Sequence, residues 1–394
     1  MDIHPAIIPG HLALSFDLFR AACAGDLERN VVISPLSVQL ALAVLLEGAA
    51  GETAAAIRVA LGIDHLPPEE AGAAVAALRQ ALLAPADKIE IALASSFWAA
   101  RNFSLRPQFV ARARALFDAT VSTVDFGNPA AIAQINDWVS SNTRGKIPQI
   151  VDTPDDGIVA MLLDAVYFNG RWQHSFDAKK TELRRFIVFR NGEIDAKEIP
   201  TMEHDAAYAR LAERGETFGF EMADLPYGDG ALSMIIMLPW RRFRPALFDH
   251  LTAAAWTEWM ERLEPGPTLK LWLPIFQVDQ HHDLKPILAA LGMGALFDPV
   301  AADFSALSAA RPGPCVTGAN QRVVIEVAEK GTVAAAVTKM EMKLTGLGPP
   351  SVIVNQPFFF AIRDNRSGAL LFMGWIADPE QTGEDRAANA EQRG

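Results

Sequence analysis

Hydrophobic positions fall into two regimes along this chain. Up to about residue 150 they recur with helical spacing, and from Gly157 onward they come in short dense runs bounded by turns. The apolar run from Leu36 to Leu46 is opened by Ser34-Pro35, a serine cap followed by proline where its missing N–H does no harm. Asn128-Pro129 repeats that signal ahead of Ala130 to Val139, and Ile89 to Trp98 between them predicts a strand. Ile158 to Phe168 is almost continuously apolar, as a strand buried on both faces would be. Asn191-Gly192 predicts a hairpin between Phe186–Phe189 and Glu193–Ile199. Gly228-Asp229-Gly230 predicts another between Phe218–Leu225 and Leu232–Leu238. Further strands are expected at Thr268–Val278, Val323–Val327, Pro357–Ile362 and Leu370–Ile376, with a helix at Leu284–Leu291. Helices first and antiparallel strands later indicate an α+β protein, not a doubly wound nucleotide binder.

No fixed-period repeat and no Pro/Gly/Ser-rich linker divides the 394 residues, so residues 1–380 are expected to form one domain. The polar stretch 381–394 is expected to be a disordered tail. With 35 basic against 47 acidic residues the net charge is −12, which argues against nucleic acid and anionic membranes as partners. No uncharged run reaches the ~18 residues of a membrane span. Met1 to Phe16 lacks the basic start of a secretory leader. The expected location is therefore cytoplasmic, or extracellular if a leader is missing from this sequence. Two cysteines, Cys23 and Cys315, allow one disulfide at most and no four-cysteine zinc site.

Catalytic signatures are absent. There is no Walker-A loop, no Gly-x-Ser-x-Gly elbow and no His-Glu-x-x-His. Gly292-Met293-Gly294 lacks a third glycine, and the adjacent His281-His282 do not share a helical face as paired ligands would. Trp240-Arg241-Arg242-Phe243-Arg244 is the densest basic cluster and reads as a solvated turn. No metal, no cofactor and no enzymatic chemistry are expected.

The most informative stretch is 323–356. After the strand Val323–Val327, Glu329-Lys330-Gly331-Thr332 opens a run of small residues from Val333 to Thr338. Roughly 20 residues then separate two strands with no turn signal between them, a length usual for functional or disordered connections. Two readings fit. Thr332 could cap an Ala-rich helix. Alternatively, Thr332, Ala334, Ala336 and Thr338 line one face of a strand that forms only when templated between two others.

A resemblance favours the second. Asn30 to Ser37, Gly48 to Thr53, Val166 to Trp172, Leu273 to Phe276 and Asp303 to Ser305 resemble blocks of the serpin family, in the family's order. Glu329 to Thr332 with Ala334, Ala335 and Ala336 resembles its reactive-loop hinge, and Asn355 to Phe358 and Leu371 to Gly374 its C-terminal blocks. The match spans roughly residues 11–380. It implies an α+β serpin fold, helices on three mostly antiparallel β-sheets, with an exposed reactive-centre loop at about 330–352.

The activity so implied is irreversible suicide-substrate inhibition of a serine protease, by a monomer that traps the acyl-enzyme through loop insertion. The rival is a non-inhibitory serpin acting as carrier or chaperone. No inward charge or proline stalls the hinge from Thr332 to Thr338, which favours inhibition. Counting from the hinge places the reactive bond at Thr345–Gly346, with Leu344–Thr345 second. Thr345 suits an elastase-like or subtilisin-like target and Leu344 a chymotrypsin-like one. Family residues at the sheet-opening region match Ser34 and Ser37, with Asp164 and Gln321 at positions where the family has asparagine and histidine. Gln321 is expected to donate to Asp164 or Ser34, and Trp172 to cover the top of the central sheet. The helix after Pro67-Pro68 starts Glu69-Glu70 and holds only Arg79 as a base, so heparin activation is not expected. The Ala-rich composition points to a bacterial-type member.

Overall fold

The computed structural model describes residues 3–83, 89–216, 218–310, 313–329 and 351–381. The helices are α1 (Ile7–Cys23), α2 (Pro35–Leu46), α3 (Gly51–Ala60), α4 (Pro68–Leu82), α5 (Pro107–Phe117), α6 (Pro129–Asn142), α7 (Leu247–His250), α8 (Ala253–Glu261) and α9 (Leu284–Leu288). The first strands are β1 (Val31–Ile33), β2 (Ile89–Ala100), β3 (Thr120–Val124), β4 (Ala160–Gly170), β5 (Glu182–Arg190), β6 (Glu193–Arg214) and β7 (Gly219–Tyr227). Then follow β8 (Leu232–Pro239), β9 (Glu264–Pro274), β10 (Phe276–Asp283), β11 (Gly318–Val327), β12 (Ser351–Ile353), β13 (Phe358–Asp364) and β14 (Leu370–Ile376).

The strands form two hydrogen-bonded sheets. The larger has nine strands in the order β1-β14-β13-β8-β7-β6-β9-β12, with β5 paired to β6; the smaller has five, β10-β11-β4-β2-β3. Two parts of the larger sheet are continuous because the long β6 pairs with β5 and β9 early and with β7 late. The predicted strand Thr268–Val278 is in fact two. β9 belongs to the larger sheet and β10 to the smaller, and the break falls at Pro274-Ile275, where proline has no N–H for a ladder. The predicted helix Leu284–Leu291 is regular only to Leu288; Leu291 and Gly292 leave helical geometry, Gly292 at φ 84°. At the predicted hairpin, Asn191 and Gly192 take φ of 52° and 80°, the left-handed pair that a two-residue turn requires.

Ser34 caps α2 by accepting from the Ser37 N–H, as its sequence signal predicts. α2 is apolar all round and buried because it packs on β14 of one sheet and on β2 and β4 of the other. α6 covers the opposite face of the smaller sheet. Its Ile132, Ile135 and Val139 cluster with Trp98, Leu163, Ala165, Tyr167 and Val324. Successive residues of β4 and β11 therefore face α2 and α6 alternately. Cys23 and Cys315 are both buried and unpaired.

Candidate functional site

Of the smaller sheet's four neighbouring pairs, β10–β11 and β2–β4 are antiparallel, while β4–β11 and the edge pair β2–β3 are parallel. β11 runs parallel to β4, from Gly318 opposite Met161 to Ile325 opposite Phe168. β10 is antiparallel to β11, and β2 is antiparallel to β4. A strand antiparallel to both neighbours fits only between parallel strands, and of this sheet's two parallel pairs, β4–β11 and β2–β3, the β4–β11 seam is the one that the chain leaving β11 adjoins. Residues 330–350 connect the end of β11 to β12, which pairs with β9 on the larger sheet.

Because β4 and β11 are parallel, their C-terminal ends coincide, and Trp172 sits over both. Its ring stacks on Tyr227 at 4.3 Å and meets Phe176 edge-on at 5.9 Å. Its indole N–H donates to the Ala328 carbonyl at 2.8 Å. The Phe176 N–H donates to the Glu329 carbonyl at 3.0 Å. Glu329 is buried, and its Oε1 accepts from the Thr181 hydroxyl at 2.6 Å while Oε2 has no partner among the described residues. Gly170 must be glycine here, since a Cβ would lie 2.7 Å from the Phe168 ring and 2.8 Å from that of Tyr227. The start of the loop is therefore held at its backbone by aromatic residues of the sheet's rim.

Mid-seam, the structure brings Ser34, Ser37, Asp164 and Gln321 together, all fully buried. Gln321 and Asp164 are register partners across β11 and β4. The Gln321 amide N–H2 lies 3.0 Å from the Ser34 carbonyl, 2.7 Å from the Ser37 hydroxyl and 3.3 Å from Asp164 Oδ2. Its Oε1 accepts from the Ser34 N–H at 3.1 Å, and the Ser34 hydroxyl donates to the Leu371 carbonyl at 2.7 Å. Burial pushes the Asp164 carboxyl up to about 6, against hydrogen bonds from Ser37, Ser95 and Gln321 that pull it down.

Two partners were not visible in the sequence. Ser95 of β2 stands opposite Asp164 and donates to its Oδ1 at 2.9 Å. His282 of β10 stands opposite Gln321 and contacts the Val32 carbonyl through Nε2 at 2.7 Å. Only strand register reveals either. His281 instead contacts Asn320, so the two histidines point to different partners. The hinge residues Gly331, Thr332, Ala334, Ala335 and Ala336 and the bonds Thr345–Gly346 and Leu344–Thr345 lie outside the described residues. Trp240 to Arg244 lead into a short 3-10 turn, Arg241–Ala246, and Arg79 of α4 pairs with Asp118 at 3.3 Å.

The family profile described as serpin (serine protease inhibitor) matches residues 10–379. This chain belongs to the serpin family. It is 34% identical over 391 residues to plasminogen activator inhibitor 1 of Sus scrofa, covering 95% of this chain and 94% of that protein. It is 30% identical over 375 residues to neuroserpin of Homo sapiens, covering 93% and 90%. A solved thyroxine-binding globulin complex with thyroxine superposes with a TM-score of 0.85 at 22% identity, over 95% of this chain and 99% of that one, and shares the serpin fold. The family is described as one of protease inhibitors, and plasminogen activator inhibitor 1 carries that activity in its name.

Proposed function

We propose that this serpin inhibits a serine protease as a suicide substrate, through insertion of the cut loop between β4 and β11. The parallel β4–β11 pairing carries this reading. A chain returning from the end of β11 runs antiparallel to β11, and so to β4. One parallel ladder is exchanged for two antiparallel ones, which are slightly more stable per residue.

The sequence of the loop fits the slot. With a tight reversal at Glu329-Lys330, Thr332, Ala334, Ala336 and Thr338 come opposite Val327, Ile325, Val323 and Gln321. These small side chains face α2, where the core has little room for larger ones. Val333, Ala335 and Val337 face α6. In the covalent step the protease serine oxygen attacks the Thr345 carbonyl. The Thr345–Gly346 C–N bond breaks, Gly346 leaves as a protonated amine, and an ester to Thr345 remains. Insertion of about fourteen residues at about 3.3 Å each carries that ester some 45 Å along the sheet. Thr345 fits an elastase-like or subtilisin-like target best.

The test is a denaturing gel after separate incubation with elastase, subtilisin, chymotrypsin and trypsin. A band at the summed mass, with a released peptide beginning at Gly346, is the expected outcome. A peptide beginning at Thr345 would move the bond to Leu344–Thr345. Cleavage without any summed-mass band would remove the inhibitor reading in favour of a carrier. Thr332→Arg places a charge on the buried face, so it is expected to leave cleavage intact and abolish the band.

A further inference from the structure

A polar row crosses the smaller sheet. Strand register sets His282 beside Gln321, Gln321 beside Asp164, and Asp164 beside Ser95. Every other seam pair on that face is apolar: Leu162 and Val166 on β4, Ala319, Val323 and Ile325 on β11. Asp164 is the one acidic side chain of the seam's α2 face, and it has no cation opposite it. From β2 it meets Ser95, from α2 Ser37, and from β11 Gln321, none of which ionises in the physiological range. The nearest titratable group in the row is His282, one strand beyond Gln321.

When a strand enters the seam, β4 and β11 move from adjacent spacing to twice that, roughly from 4.8 to 9.6 Å. The 3.3 Å contact between Gln321 and Asp164 then breaks. We propose that Asp164 gates this separation: as a buried carboxylate it destabilises the closed seam, and as a neutral carboxylic acid it lets the seam stay shut. The proposal rests on the insertion reading above. Burial holds the closed-state carboxyl near 6, whereas an opened, hydrated seam returns it toward its ordinary value of 3.8. A group whose closed-state value is raised favours the closed state fully below the lower value and loses that effect as pH rises through the higher one. Opening is therefore easier at pH 7.5 than at pH 5, by up to about tenfold for a shift of this size.

The test measures hydrogen exchange of the seam amides, residues 161–168 and 318–325, in wild type and Asp164→Asn at pH 5 and 7.5. Comparing the two proteins at each pH cancels the intrinsic exchange rate. Wild-type opening relative to the variant is expected to rise several-fold, up to tenfold, between pH 5 and 7.5. An unchanged ratio overturns the gate, because it assigns any remaining pH dependence to His282 or to the sheet as a whole. A wild-type profile with no inflection between pH 5 and 7.5 overturns it without the variant. Annealing of a synthetic peptide with the sequence of residues 331–344 is followed in parallel. Failure of annealing with the exchange shift intact would count against insertion and not against the gate; annealing without the shift would do the reverse.

Discussion

His11 shows how a single buried group can be read in full from its partners. Its Nε2 lies 2.9 Å from the Leu370 nitrogen and 3.0 Å from the Leu370 carbonyl oxygen, and its Nδ1 lies 2.8 Å from Gln39 Oε1. Burial lowers its pKa to about 4, only partly offset by the bonds to Gln39 and Leu370. A lowered histidine contributes stability above its unfolded value of 6.5 and loses it as pH falls through 4, about 3 kcal/mol in all. Asp164 has the opposite sign: the native state gains about 3 kcal/mol as pH falls from 6 through 3.8. The two effects nearly cancel between pH 7 and 4. In urea titrations, His11→Gln is therefore expected to lose less stability than wild type over that interval, by about 3 kcal/mol. A parallel pH profile for the two proteins would contradict the assignment. Nothing in the sequence marks His11, because its role depends on a strand 359 residues away.

At the scale of elements, caps and turns were legible and neighbours were not. Ser34-Pro35, Asn128-Pro129 and Asn191-Gly192 are local devices, and each starts or turns the element it predicts. The division of Thr268–Val278 between two sheets is a tertiary fact that local pattern does not encode. Likewise, the resemblance supplied Ser34, Ser37, Asp164 and Gln321, but only register supplied Ser95 and His282. The element that must yield for a strand to enter the seam is α6 with its return segment. Asn136 ties that segment down: its Oδ1 accepts from the Ile150 and Val151 N–H groups at 2.9 and 3.1 Å, and its Nδ2 donates to the Val151 carbonyl at 2.8 Å. Asn136→Ala leaves the Ile150 and Val151 N–H groups without that partner, while the Val151 carbonyl keeps only Gln149 Nε2 at 3.3 Å, a local loss of about 1–3 kcal/mol. Peptide annealing into the seam is expected to become several-fold faster in this variant. An unchanged rate would show that α6 does not limit opening.

For the molecule as a whole, the two sheets place stability and mechanism in different parts. β13 and β14 are buried almost throughout, pair with each other and with β8 and β1, and form the fixed frame. The smaller sheet instead carries a parallel seam, a buried uncompensated carboxyl and a rim that holds the loop's first residues by hydrogen bonds to their backbone. Under the proposed insertion mechanism, these features are local costs that the inserted strand relieves or replaces. The α+β class was legible from the order of helices and strands. The seam was not, because parallel pairing of two strands whose partners lie 157 residues apart leaves no trace in either one. The most direct measurement is the thermal unfolding midpoint before and after a single cut within residues 340–346 by a protease that is then removed. Insertion of the freed strand is predicted to raise the midpoint markedly, since about ten of its residues gain ladder bonds to β11 on one side and β4 on the other. An unchanged or lowered midpoint after a verified cut would contradict insertion at the β4–β11 seam.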